Sequence, residues 1–482
     1  MIAYPFIRFM LGLIALGVAI LMAVPCFVAW ELDSPDKQAF LISEGVVLTF
    51  SFALIYANRR AERKLNVREV FILTAASWLT VCALGAMPFV LSHTVSTVTD
   101  AVFESVSAVT TTGATVLGQL DSLPKDILLW RSMMQWIGGL GIVAFGAAVL
   151  PFLRIGGMRL FRAESSDFSE KALPHTRNFL LRLLLVYLII SLACTIAFAV
   201  GGMSIFDAIN HAMTTVSTGG FSTHDESIGF FNSAVIDTVA IFFMLVASIP
   251  FVLYLPLLAG RVRMLRSDSQ VRSMLGAYLS VTVLLVIWLT VNNNTGFTAA
   301  FREAAFSVVS IGTTTGYVTA DYAEWGHFGI VVMFFLTFVG GCTGSTAGGI
   351  KILRFKVAFI MLRETILRLL HPNAIFSRTI DGKPISDDTL ASVMAFALAF
   401  ACTVGATAIL LAAAGNDFMT SFSAAATATA NVGPGLGDIV GPTSNFAAIS
   451  AASKWILCVA MLLGRLEIFT LLVLVTPHFW RN

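Results

Sequence analysis

The hydrophobic pattern divides the chain into ten long apolar runs, at about residues 6–30, 40–57, 69–91, 126–153, 179–201, 231–260, 274–292, 326–362, 388–414 and 445–476. A helix needs roughly 20 apolar residues to cross a bilayer, so runs of this kind predict spans rather than buried core helices. Four shorter apolar pieces lie between them, at about 100–112, 206–218, 302–315 and 419–432. These are too short to cross and suit re-entrant segments, whose irregular backbone is tolerated at membrane depth only where it is buried in protein or lines a cavity. The pattern predicts an all-α polytopic membrane protein.

Composition agrees with a lipid bilayer as the solvent of this chain. Of 482 residues, 57% are hydrophobic and 12% charged, with a mean hydropathy of +0.85. Soluble domains carry roughly 25% charged residues. The first run is longer than a signal-peptide core and no A-x-A site follows it, so it reads as a first transmembrane helix.

The net charge of +2 carries no message, but its distribution does. Arg59, Arg60, Arg63, Lys64 and Arg68 follow the second run. Arg154, Arg159, Arg162, Lys171 and Arg177 follow the fourth, and Arg261, Arg263, Arg266 and Arg272 the sixth. Lys351, Arg354, Lys356, Arg363, Arg368, Arg378 and Lys383 end or follow the eighth. Every second connection is basic, which sets those connections and the N-terminus on the cytoplasmic side. The alternate connections carry Asp33, Asp36, Asp225, Glu226, Asp321, Glu324 and Asp438, so the short pieces enter from outside. The inward loops near 154–178 and 363–387 either obey the positive-inside rule or dock an acidic soluble subunit. The cysteines and histidines are scattered, with no disulfide framework, metal-ligand spacing or nucleic-acid signature.

The short pieces repeat. Each runs into a glycine and a turn: VTTTGATV at 109–116, VSTGGFST at 216–223, GTTTGYVT at 312–319 and ANVGPGLG at 430–437. Alignment places Gly113, Gly220, Gly316 and Gly433 in register, roughly a hundred residues apart. Upstream of them, at one common offset, stand Asp100, Asp207, Glu303 and Thr420, the expected N-terminal residues of short helices. The chain thus reads as four tandem copies of span, pore helix, glycine loop and span, at 67–178, 179–272, 273–386 and 387–482. Two extra transmembrane helices occupy 1–66.

A short helix that enters from outside ends near the midplane with about half a negative charge. Four such ends meeting at one point attract a cation, and loop carbonyls can replace its hydration shell. Glycine suits such a loop because it reaches unusual φ/ψ without a Cβ clash. The candidate filter residues are Thr111, Thr112 and Gly113; Thr218, Gly219 and Gly220; Thr314, Thr315 and Gly316; and Asn431, Val432 and Gly433. The ion itself is expected at Thr112, Gly113, Gly220, Thr315, Gly316, Val432 and Gly433. The fourth loop, with Asn-Val-Gly-Pro, departs most, so the pore should be pseudo-fourfold and uneven.

A second polar feature interrupts the eighth run. At about 1.5 Å per residue counted from residue 326, Gly340 lies about 20 Å into the span. From there the chain runs Gly340, Gly341, Cys342, Thr343, Gly344, Ser345, Thr346, Ala347, Gly348, Gly349, Ile350, Lys351. This stretch should unwind into a flexible loop below the filter and act as a gate; the other reading is small-residue helix packing. It is not a P-loop, because Lys351 does not follow a glycine directly. Arg465 sits in the last run, where a charge is expensive and marks a functional site by default. It either faces the pore as a barrier to cations or is structural. A direct pair with Glu467 is disfavoured, since residues two apart point to different helix faces. Lys454 is expected to snorkel outward, and Glu104 and His211 to cap or balance the dipoles of their helices.

TTTGATV at 110–116, QWIGGLGI at 135–142, STGGFS at 217–222, GGCTGSTAGGIK at 340–351 and GRLEIFT at 464–470 carry a resemblance that covers essentially the whole chain. It is similar to the Trk/Ktr/HKT superfamily of potassium transporters, in the bacterial TrkH/TrkG form. The resemblance implies a multi-pass protein of the bacterial inner membrane and a homodimer with one pore per subunit. It also implies a cytosolic, nucleotide-binding, TrkA-like regulatory subunit. K+ is the implied ion, with no organic cofactor. In related plant proteins a serine at the first filter glycine goes with sodium transport, and Gly113 stands there in this chain. The family also matches 340–351 to an intramembrane gating loop, with an arginine at the position of Arg465 nearby.

Three functions compete. A channel-like potassium pore leads. A proton- or sodium-coupled potassium symporter is the alternative, although no span carries a chain of Asp, Glu and His suited to a proton relay. An intramembrane enzyme is disfavoured: Ser345 and Cys342 have no evident base partner, and four filter repeats would go unexplained.

Overall fold

The computed structural model describes residues 4–61, 65–148, 173–258, 260–374 and 376–481. Arg63, Lys64, and the basic stretch with Arg154, Arg159, Arg162 and Lys171 lie outside the described residues.

Among the described residues, seven helices are long and apolar enough to cross a membrane. Two further spans are bent pairs: Ala234–Ala247 with Phe251–Leu257 at 94°, and Ala451–Arg465 with Phe469–Val475 at 114°. Another is interrupted, with Gly326–Leu336 on one side of an irregular loop and Ile352–Leu370 on the other. Together these are the ten crossings the hydrophobic pattern predicts. The sixth and tenth, however, are broken rather than continuous. In the sixth, Pro250 lacks an amide proton and stops helical bonding just past Ser248. In the tenth, Glu467 and Ile468 both take positive φ, at 60° and 45°.

Helices Tyr4–Glu31 and Lys37–Asn58 form an antiparallel pair at the start of the chain, where Ser51 Oγ donates to Gly12 O at 2.8 Å. The remaining helices include one short helix before each of the four glycine loops. These pore helices are Val98–Val109, Ile205–Val216, Phe297–Gly312 and Phe418–Ala430. Three are capped by Thr97, Ser204 and Asp417, whose side chains accept from the amide three residues on, and Asp417 from the one before it as well. Asp100, Asp207 and Thr420, the expected N-terminal residues, are each the third residue of their helix, within its first turn. Glu303 lies further in, because the third pore helix is longer and begins after Gly296.

One element departs from the all-α reading: Thr379–Ile380 and Lys383–Pro384 pair as a small antiparallel ribbon. Its turn, Asp381-Gly382, has φ of 49° and 78°, the left-handed pair that a tight hairpin requires. Arg378 anchors it by bridging Glu364 and Asp387.

Candidate functional site

All four pore helices end in one backbone motif. An amide two or three residues beyond the helix returns to a carbonyl five residues back: Thr112 to Ser107, Gly219 to Thr214, Thr315 to Ser310 and Val432 to Thr427, at 2.8–3.0 Å. The residue before each is left-handed, with φ of 52° at Thr111, 53° at Thr218, 59° at Thr314 and 55° at Asn431. This is the Schellman ending, with threonine or asparagine where glycine is usual. The shared glycine follows with positive φ in all four loops.

These glycines close a ring. A Cβ on Gly113 would stand 2.2 Å from Gly219 O, and one on Gly220 would stand 1.9 Å from Thr315 O. A Cβ on Gly316 would meet Val432 O at 2.0 Å, and one on Gly433 would meet Thr112 O at 2.7 Å. Loop one therefore abuts loop two, two abuts three, three abuts four, and four returns to one. Each contacting carbonyl belongs to the residue just before a shared glycine. The four pieces thus come together in the cyclic order of the repeat, and a methyl group at any of the four contacts would force the neighbouring backbone to shift, least at Gly433. The threonines of these loops, Thr111, Thr112, Thr218, Thr314 and Thr315, are buried. Thr112 Oγ1 pairs with Thr110 Oγ1, and Thr315 Oγ1 with Thr313 Oγ1, both at 2.8 Å, so these hydroxyls brace the back of the loops. Thr111 Oγ1 has no partner among the described residues.

The ring is held from behind by residues that the sequence pattern did not single out. Arg131 and Gln135, one turn apart on Lys125–Ala148, tie loop one to loop two. Arg131 Nε donates to Glu104 Oε1 at 2.7 Å, and its two Nη groups reach Ser222 O and Thr115 Oγ1. Gln135 Nε2 donates to Gly219 O at 2.7 Å and Gln135 Oε1 accepts from Phe221 N. Arg131 and Glu104 are 1% and 0% exposed; such a pair demands full hydrogen bonding, which these loops supply. Glu104 is therefore an ion-pair member rather than a cap. His211 bonds Asp207 O and Ser222 Oγ, each at 2.9 Å. Lys454 does not snorkel: it is buried, donating to Asp100 at 2.6 Å and to Ala447 O at 3.0 Å. An arginine in an apolar run was the available signal for Arg131.

Beneath the ring, residues 337–351 leave helical conformation as expected, but they are tied rather than loose. The neck is a bridge between Val339 and Ile350, with Gly340 N bonding Ile350 O and Ile350 N bonding Phe338 O, both at 3.0 Å. The tip meets the ends of three pore helices. Thr346 Oγ1 donates to Val216 O at 3.1 Å, Gly348 N to Thr314 Oγ1 at 2.6 Å and Gly349 N to Ala430 O at 2.8 Å. The bend of the sixth span embraces the loop: Cys342 N bonds Ser248 O and Phe251 N bonds Gly344 O.

Arg465 ends the first half of the last span and is 3% exposed. Its Nη1 donates to Thr346 O at 2.9 Å. It lines a cavity below the ring together with Lys351, Asn431, Ser345, Gly348 and Glu467. Lys351 Nζ bonds Ala347 O within the loop. Glu467 pairs not with Arg465 but with Arg354, whose guanidinium lies 3.6 Å from the centroid of Phe396. Facing a cavity and fastening the loop are thus joint properties of Arg465.

Comparisons with known proteins agree over nearly the whole chain. The family described as "Cation transport protein", TrkH, matches residues 36–481. The Trk system potassium uptake protein TrkI of Halomonas elongata is 44% identical over 473 residues, 98% of this chain and 96% of that protein. The potassium uptake protein TrkH of Escherichia coli K12 is 38% identical over 477 residues, covering 98% of each. The crystal structure of the potassium transporter TrkH from Vibrio parahaemolyticus superposes with a TM-score of 0.91 at 35% identity, over 99% of both chains.

Proposed function

The chain belongs to the TrkH family of cation transport proteins, and on that premise we propose that it is the membrane subunit of a Trk-type potassium uptake system, working as a gated, channel-like pore. The filter is the ring of four glycine loops, and K+ is held by the carbonyls of Thr112, Gly219, Thr315 and Val432 with the adjoining glycines. The observation that carries this reading is the cyclic closure of the ring at four glycines. Backbone oxygens so arranged, above the negative ends of four pore helices, replace part of the hydration shell of a monovalent cation.

The gate is the 340–351 loop. It spans the space below three pore-helix ends and is held there by Thr346, Gly348, Gly349 and Arg465. A cation leaving the filter meets Lys351 and Arg465, which oppose its passage until the loop moves. With one shared glycine per loop rather than a stack of carbonyl rings, the filter discriminates less sharply against sodium than a TVGYG filter does and passes rubidium. The chain divides into the two leading helices and four pore units at the boundaries given above. The protein works as a homodimer with a TrkA-like nucleotide-binding partner in the bacterial inner membrane, its N-terminus cytoplasmic. The basic inner loops support that orientation.

The test is cation flux through the purified protein in liposomes, with potassium, rubidium, sodium and lithium compared and no proton gradient applied. Passive potassium and rubidium flux exceeding that of sodium and lithium is expected. Flux that requires a proton or sodium gradient would replace the channel by the symporter.

A further inference from the structure

The cavity below the filter ring carries more positive charge than its surroundings balance. Lys351 and Arg465, which line it, are 8% and 3% exposed, and Arg354, 6% exposed, stands behind its lining on Glu467. Among the described residues, Glu467 is the one carboxylate lining the cavity, and Arg354 already holds it. Hydrogen bonding is equally incomplete. Arg465 spends Nη1 on Thr346 O, and its Nε and Nη2 have no acceptor among the described residues. Arg354 leaves Nε and Nη1 in the same condition, while Asn431 Oδ1 is an unpartnered acceptor on the filter side. Buried polar groups of native proteins are satisfied, and buried charges are paired. Water would supply acceptors but no countercharge.

The free edge of Arg465 has a definite chemistry. Nε and Nη2 lie on one side of the guanidinium and present two parallel N–H groups, the fork that receives two oxygens of an oxyanion or a single halide. Lys351, which lines the same cavity, adds a compact charge with donors to spare beyond its bond to Ala347 O.

We propose that this cavity is a binding site for a small inorganic anion, held between the Nε–Nη2 edge of Arg465 and the ammonium of Lys351. The bound anion cancels the charge that opposes an outgoing cation and fastens the loop to the last span through ionic contacts on both sides. Cation passage then depends on the anion at the inner face. The inference deepens the reading of this loop as a gate, but binding is measured without any ion flux, so the two fail separately.

The experiment uses the full-length protein in detergent with potassium gluconate as the baseline. Bromide, nitrate and sulfate are titrated at constant ionic strength while the unfolding temperature is followed, and crystals are soaked in bromide. A saturable rise in unfolding temperature with bromide or nitrate is expected, with an anomalous bromide peak between Arg465 and Lys351. Arg465→Gln and Lys351→Met should each weaken the apparent affinity about tenfold or more. Response to bromide and nitrate marks a halide-sized site, and response to sulfate a broader oxyanion site. Wild-type crystals without a bromide peak in the cavity would overturn the proposal, as would a titration unchanged in Lys351→Met. Neither readout requires Arg465→Gln to fold. Intact anion binding together with anion-independent flux would remove the gating consequence and leave the site.

Discussion

Asn431 Nδ2 donates to Thr112 Oγ1 at 2.9 Å, joining two residues 319 positions apart in the chain. The bond closes the ring between its last loop and its first. Asn431 also donates to Met461 O at 2.9 Å and so ties that closure to the last span. The fourth loop departs from the others in sequence but not in conformation. Asparagine tolerates the left-handed region better than a β-branched residue does, and threonine holds the equivalent place in the other three loops.

Asn431→Ala should therefore damage the ring from its weakest seam. Two buried hydrogen bonds disappear and Thr112 loses a donor, at a cost of about 1–3 kcal/mol. The unfolding temperature should fall, and the potassium-to-sodium permeability ratio measured by reversal potentials should fall with it. An unchanged ratio in a folded variant would detach this bond from selectivity.

The glycine contacts predict a graded series. Alanine at any of the four takes a strained φ, but at Gly220, Gly316 or Gly113 it also places Cβ within 2.2 Å of a backbone oxygen, whereas at Gly433 the nearest atom is 2.7 Å away. Gly220→Ala and Gly316→Ala should abolish selective flux, and Gly433→Ala should retain the most. Gly276→Ala, with nothing within 4 Å, is the control and should behave as wild type. Rubidium uptake into liposomes reads the series, and equal loss at all four positions would contradict the ring geometry.

Arg465→Ala removes the charged hydrogen bond to Thr346 O and one of the two cations under the filter. A charge-assisted bond contributes about 1.5–3 kcal/mol, so loop release should be favoured by roughly tenfold or more. Passive potassium flux should rise in the same assay. Flux equal to wild type in a well-folded variant would make Arg465 purely structural.

Why the sequence reveals some of this and not the rest follows from how local each signal is. Glycine and helix breakers recur at four places between apolar runs, so loops and spans are legible without any contact being known. Asp100 and Asp207 stand in the first turns of their helices, where the dipole favours an acid, while the caps themselves are Thr97 and Ser204, three residues earlier. The bend at Ser248–Pro250 hides in a run whose hydrophobicity never drops, and Pro250 was the local clue. Arg131 stands out as a charge in an apolar run, but what it and Gln135 hold was not legible, because their partners Ser222 and Gly219 lie 91 and 84 residues away.

The outer rim carries a pH-sensitive link. His224 pairs with Asp121 of the first loop, stands 3.5 Å from Asp207, and stacks on Phe230 at 3.6 Å. Burial works against its charge, but the two carboxylates prevail and hold the imidazole above its ordinary value. A raised folded pKa contributes stability that is fully present below about 6.5 and is lost as pH climbs through the higher folded value. The unfolding temperature should thus decline through and above neutral pH, and His224→Gln should flatten that step. Parallel profiles for the two proteins would refute the link.

Tyr278 links the third pore helix to the 340–351 loop. Its buried hydroxyl bonds Gly312 O, the last carbonyl of the third pore helix, and lies 3.3 Å from Gly340 O at the neck of the loop. One proton is thus shared between the helix proposed to carry a filter loop and the loop proposed to move as the gate. Tyr278→Phe keeps the ring that packs on Gly312 and deletes only this tether, which contributes about 1 kcal/mol. If the tether restrains the loop, passive flux should rise several-fold with a small fall in unfolding temperature, while ion selectivity stays the same because the ring contacts are untouched. A fall in selectivity would show instead that the hydroxyl positions the third filter loop. Stability lost with neither flux nor selectivity altered would reduce Tyr278 to packing. Combining Tyr278→Phe with Arg465→Ala separates the first outcome further, since two restraints on one loop give less than additive effects once either has freed it.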